Sequence, residues 1–231
     1  MNSKIIWGVA GLTLAVSSAA FGQATPALLT FTYTDLAGSY ALNGPNVGEG
    51  TFTARASSIS PLLTFGSVTR LVGPQAQAQF SAGFESTGQA NAVFNISVTN
   101  KTAFTATGLG SFTLTDLDGD TVTGTIDGTW VRGSGGRTFF NGNLREVNLN
   151  NVSGTGMFDG TSGGGFQMGL GVPPPYSGAL VQLFIRTGVG FFENEFSNNT
   201  TQTSGQIIPS PGAAALAGLG MIGLASRRRR A

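Results

Sequence analysis

The densest set of groups that could do chemistry is the run Asp116-Leu117-Asp118-Gly119-Asp120, followed by Asp127. Counted from Asp116, aspartates fall at relative positions 1, 3, 5 and 12, the order in which a calcium loop presents hard carboxylate oxygens. Relative position 6 is Thr121, where such a loop requires Gly, and the flanks Ser111–Leu114 and Thr121–Trp130 alternate like strands. The plainer reading is an acidic hairpin turn around Asp118-Gly119, a dipeptide that favours the φ > 0 geometry of tight turns. Asp116, Asp118, Asp120 and Asp127 are candidate calcium ligands on the first reading and turn residues on the second. No other cofactor is expected.

Glu193 and Glu195 form a second acidic pair. Two residues apart on a strand, they would project to one face. Paired carboxylates hydrolyse glycosides when they face each other across a cleft, whereas neighbours on one strand make a solvated face. The chain contains no His and no Cys. It therefore lacks the side chains behind most zinc sites, most triad bases and every thiol nucleophile. The expectation is a chain that is not an enzyme; a carboxylate-only hydrolase is the remaining catalytic alternative.

The elements around these groups read as strands. Gly makes up 36 of 231 residues, only 10% of residues are charged, and 40% are hydrophobic. That hydrophobic fraction is too high for a disordered chain. Leu29, Phe31 and Tyr33 alternate with Thr30, Thr32 and Thr34, and Val122 to Trp130 repeats the pattern, with Gly124 and Gly128 on its apolar face. Period-2 alternation marks half-buried strands. Further strands are expected near 51–57, 63–71, 76–84, 94–98, 104–108, 111–115, 137–140, 145–150, 165–170, 180–186 and 190–196. Asn43-Gly44, Asp118-Gly119, Asn141-Gly142 and Asp159-Gly160 stand between them as turn signals. The expected fold is all-β, a single antiparallel sandwich or barrel-like domain. Gly inside the strands fits bends or close sheet contacts. The Pro173-Pro174-Pro175 run reads as a loop, and the large aromatics, Trp130 among them, as core. An outward Trp130 would instead stack on a sugar.

The two ends carry addresses. In residues 1–22, Lys4 precedes the apolar stretch Ile5–Ala15, and Ala20-Phe21-Gly22 places small residues for cleavage between Gly22 and Gln23. This is the pattern of a secretory signal peptide. The β-rich domain is expected over 23–197, a polar linker over 198–208, and a sorting or anchor segment over 209–231. That last segment opens with Pro209-Ser210-Pro211-Gly212, continues through the uncharged run to Ala225, and ends on Arg227, Arg228, Arg229 and Arg230. A helix from Pro211 to Ser226 would be about 24 Å long at ~1.5 Å per residue. Local bilayer thinning and snorkelling arginines would let it reach across the inner membrane. Arginines stay on the cytoplasmic side, which places the body outside.

The order Pro-x-Pro, short apolar helix, arginine cluster, chain end resembles the PEP-CTERM sorting signal, with Ser210 standing where the family carries Glu. The resemblance covers only these C-terminal residues. It implies an exosortase-like membrane processing enzyme as a partner, cleavage at the motif, and delivery to the cell surface or an exopolysaccharide matrix, the biofilm setting of such proteins. It implies nothing about the fold of the body.

From Gln23 to Pro211 there are seven basic and eleven acidic residues, a net charge of −4. That balance argues against nucleic-acid binding. The combined expectation is an exported structural protein of the surface or matrix. A secreted carbohydrate- or calcium-binding module is the alternative.

Overall fold

The structure, a computed structural model, describes residues 26–43, 48–56, 65–81, 84, 89–186 and 190–210. The expected signal segment, with its expected Gly22–Gln23 cleavage site, and the tail residues Pro211, Gly212 and Arg227–Arg230 lie outside the described residues.

Twelve strands are formed by the described residues: β1 (Leu29–Leu42), β2 (Gly50–Arg55), β3 (Phe65–Arg70), β4 (Ala76–Phe80), β5 (Ala92–Val98), β6 (Thr105–Thr115), β7 (Thr121–Arg132), β8 (Arg137–Asn150), β9 (Met157–Asp159), β10 (Gly165–Gln167), β11 (Tyr176–Arg186) and β12 (Phe196–Ile208). All pairings between them are antiparallel. Ten form one sheet in the order β12-β11-β8-β7-β6-β5-β2-β1-β3-β4. A further pairing of β12 with β1 closes the run from β1 to β12 into a ring. Of the two architectures expected, the closed, barrel-like one is formed, and closure removes the unpaired edges that an open sheet would expose.

The ring forks at Asp35. Leu29–Thr34 pairs with β3, whereas Ala37–Leu42 pairs with β2. Asp35 sits at the break with φ 56°. The β3–β4 branch ends on an edge that is partly covered. The amide of Gln79 donates to the carbonyl of Gly163 (3.1 Å), and the amide of Ser162 donates to the carbonyl of Gln79 (2.9 Å), both from the β9–β10 turn.

The interior is aromatic. Trp130 is fully buried, and its indole N–H donates to the carbonyl of Ser97 at 2.9 Å. Its ring lies 4.7 Å from Phe140, 5.0 Å from Phe192 and 5.2 Å from Phe52, centroid to centroid. A row of three glycines in register, Gly108, Gly128 and Gly142, forms the wall beneath. A methyl group at Gly108 would come within 2.6 Å of the Phe140 ring and 2.8 Å of the Trp130 nitrogen, and one at Gly128 within 2.8 Å of Phe140. Glycine inside these strands is thus the close sheet contact the composition implied. Each ring takes the space a side chain would fill.

Four expectations change. Residues 198–208 are not a linker: they are the body of β12, the strand that closes the ring. Their hydrophobic alternation is missing because the inward positions are Thr201, Thr203, Gly205 and Ile207, with Gly205 kept bare by the Phe31 ring. Residues 190–195 are not a strand; they fold over the barrel mouth and bury Phe191 and Phe192. Asn141-Gly142 lies inside β8 instead of turning. The strands expected at 104–108 and 111–115 are one strand, β6.

Candidate functional site

The ring has two ends, fixed by register. Leu29 pairs with Ile207, and Ser177 with Ile208, at one of them. Arg186 pairs with Arg137 at the other. The acidic turn belongs to the first end, together with the chain termini, and Glu193 and Glu195 belong to the second.

At the terminal end, Asp118-Gly119 turns β6 into β7, with Gly119 at φ 93°. Asp116 is completely buried. Its Oδ1 accepts the amides of Asp118 (2.9 Å) and Asp120 (2.8 Å), and its Oδ2 accepts the amide of Asp159 (2.7 Å). One carboxylate thereby closes the turn and pins β9 against it. Asp120, also completely buried, accepts the amide and the hydroxyl of Ser153 at 2.6 and 2.9 Å. Burial raises the Asp116 carboxyl above its ordinary range against the pull of its three amide donors. Asp159 is also raised, first by burial and then by the charges of Asp118 and Asp120.

Asp127 is elsewhere. It stands on the outer face of β7, seven residues beyond Asp120, roughly 23 Å away at ~3.3 Å per residue. There it forms an ion pair with Arg145 and accepts a bond from Asn143. The Arg145 guanidinium holds its carboxyl below the usual range. The four aspartates of the calcium reading therefore do not converge. The oxygens of Asp116 and Asp120 already serve backbone and hydroxyl donors. Among the described residues no group of three or more His, Cys, Asp or Glu side chains is placed to hold a metal ion. The hairpin-turn reading fits this geometry.

At the mouth, Glu195 Oε1 accepts the amide of Leu42 at 2.9 Å, which fastens the segment before β12 to the end of β1. Glu193 and Glu195 do not share a strand face, because the strand begins only at Phe196. Tyr40 lies beside them, buried against Phe192 (4.8 Å) and Phe196 (5.8 Å). Its hydroxyl is buried without a hydrogen-bond partner among the described residues. Burial, then Glu49 and Glu195, push its pKa up to about 12. An open hollow of about 520 Å³ runs past Tyr40, Glu195 and Phe196.

Comparison with protein-family models, with curated proteins and with solved structures finds no match to this chain. Function must be argued from its own residues.

Two further features bear on it. Pro209, the first residue of the tail motif, is buried directly behind β12, and Ser210 follows half-buried. The amide of Leu28 donates to the carbonyl of Ile207 at 2.7 Å, so both chain ends leave the ring side by side. And the outward aromatics are not Trp130 but the exposed Phe65 and Phe104 and the half-buried pair Phe139 and Phe184, neighbours across β8 and β11 with ring centroids 5.3 Å apart. Alternation alone does not give the position of that pair: odd residues of β8 face out only before the bulge at Glu146, and even residues of β11 only after the register shift at Leu180–Gln182.

Proposed function

We propose that this chain is an exported structural protein of the cell surface or extracellular matrix, made as a membrane-anchored precursor and processed by an exosortase-like enzyme at its tail. The observation that carries the reading is the position of Pro209. The strand that closes the ring runs to Ile208 and the tail motif begins at the next residue, buried against the ring. A folded body is thus joined to the sorting segment without a spacer. Release from the membrane requires a cut at or beyond the motif, since any cut upstream would remove β12, which pairs with both β1 and β11. Leu28 and Ile207 are hydrogen-bonded neighbours at one end of the ring, which suits a precursor whose two terminal segments engage one membrane.

Immunoblotting of cells with antibody to the body tests this. The expected result is an export-dependent product lacking the tail, which reverts to the longer precursor when the processing enzyme is deleted. A single full-length species, the same with and without that enzyme, would contradict the reading.

A further inference from the structure

The body carries seven basic residues, and three of them gather at one corner of the ring, at the end away from the chain termini. Arg132 ends β7, Arg137 starts β8, and Arg186 stands opposite Arg137 in the register of β11. Arg132 and Arg137 are exposed and have no carboxylate partner among the described residues. Elsewhere the cations have structural employment: Arg145 pairs with Asp127, and Arg70 donates to the carbonyls of Val72 and Gln167 at 2.7 and 2.8 Å.

Directly beside this corner the outer face changes character. Over most of β6, β7 and β8 that face is Thr, Ser and Asn; rows such as Thr107-Thr129-Asn141 and Thr113-Thr123-Asn148 run across it. The row Val131-Phe139-Phe184 breaks the pattern. The Arg137 guanidinium carbon lies 5.8 Å from the centroid of the Phe184 ring. Gly133 permits the arrangement, because a methyl group there would collide with the Phe139 ring. Phe104, 70% exposed, is joined to the same corner by its carbonyl, which accepts the amide of Arg132 at 2.8 Å. Two half-buried phenyl rings under a free guanidinium add little to the barrel, whose core lies on the other side of the sheet.

We infer that this corner binds an acidic polysaccharide, one whose pyranose rings carry carboxylates. Phenyl faces stack on the C–H faces of sugar rings, and a guanidinium fork matches a carboxylate bidentately. The corner itself carries arginines, although the exposed Glu193 and Glu195 stand at the same end of the ring and the body as a whole is acidic. The inference rests on the proposed function in one respect: if the tail faces a membrane, this corner faces away from it, towards the matrix. A second copy of the chain is the less favoured occupant. The acidic end it would offer has Asp116 and Asp120 buried and already hydrogen-bonded, which leaves few free carboxylates.

Affinity electrophoresis of the full chain in mild detergent tests the inference, with polygalacturonate or neutral dextran cast in the gel. The expected result is retardation by polygalacturonate alone, weakened at least tenfold in the double variant R132Q/R137Q and in F139S/F184S, and lost at high salt. Unchanged melting of R132Q/R137Q shows that the fold is intact. No retardation, equal retardation by dextran, or full retention in R132Q/R137Q would overturn the inference. So would salt-sensitive self-association without glycan that disappears in both R132Q/R137Q and D118N, because the corner would then serve a second copy. Failure of the export reading would show in the immunoblot and not in the gel, so the two can fail separately.

Discussion

The two ends of the ring handle charge in opposite ways. At the terminal end, carboxylates are taken inside and answered by backbone amides from distant segments: Asp116 by Asp118, Asp120 and Asp159, and Asp120 by Ser153. At the far end, guanidinium groups stand in solvent beside the exposed Phe104 and the half-buried Phe139 and Phe184, and the Tyr40 hydroxyl is buried with no hydrogen-bond partner among the described residues. Buried polar groups must be hydrogen-bonded or cost stability. The terminal end is therefore where buried, hydrogen-bonded carboxylates hold the fold, and the far end is where guanidinium groups stay in solvent.

Substitutions at each end should separate these roles. The largest effect is expected at Asp116. D116A leaves three amides without their acceptor and should cost about 3 kcal/mol or more, as lost charge-assisted bonds do, read by chemical denaturation. A loss below about 1 kcal/mol would mean that water replaces the carboxylate and the hub is not structural. At the far end the sign reverses: Y40F removes an unpartnered buried hydroxyl and should stabilise by about 1 kcal/mol. A destabilised Y40F would show that the hydroxyl has a partner in solution.

Asp159 gives a smaller effect with a pH signature. Its carboxyl titrates above the ordinary value because of burial and its acidic neighbours. The folded chain then holds that proton more tightly than the unfolded chain, so stability is lost as pH rises from about 4 through the raised value. D159N should remove this part of the slope and gain a few tenths of a kcal/mol at neutral pH, the group being largely solvated. Thermal melts of both proteins across the acidic range check it. Smallest of all, R132Q/R137Q should change stability by less than about 0.5 kcal/mol, as exposed positions do.

Much of this contrast could be read from residue order alone, and the rest fails for identifiable reasons. The all-β class, the Asp118-Gly119 turn, the Pro173–Pro175 loop and the aromatic core follow from alternation and turn chemistry. The closing strand was hidden because its inward side chains are threonine and glycine. Its neighbour 190–195 looked like a strand because Phe191 and Phe192 are apolar, but they plug a mouth instead of lining a sheet. Spacing alone groups Asp127 with the turn, but β7 runs straight on and carries it away to Arg145. The outward position of Phe139 and Phe184 needed the register of β8 against β11, which no local pattern supplies.

The intact mass of the protein recovered from the envelope and medium of an expressing cell tests the central claim most directly. The account predicts a chain that begins at or near Gln23, keeps β12 complete, and ends within or beyond Pro209–Pro211 without the arginine cluster. A chain that retains both Met1 and Arg230, or one cut upstream of Ile208, would contradict it.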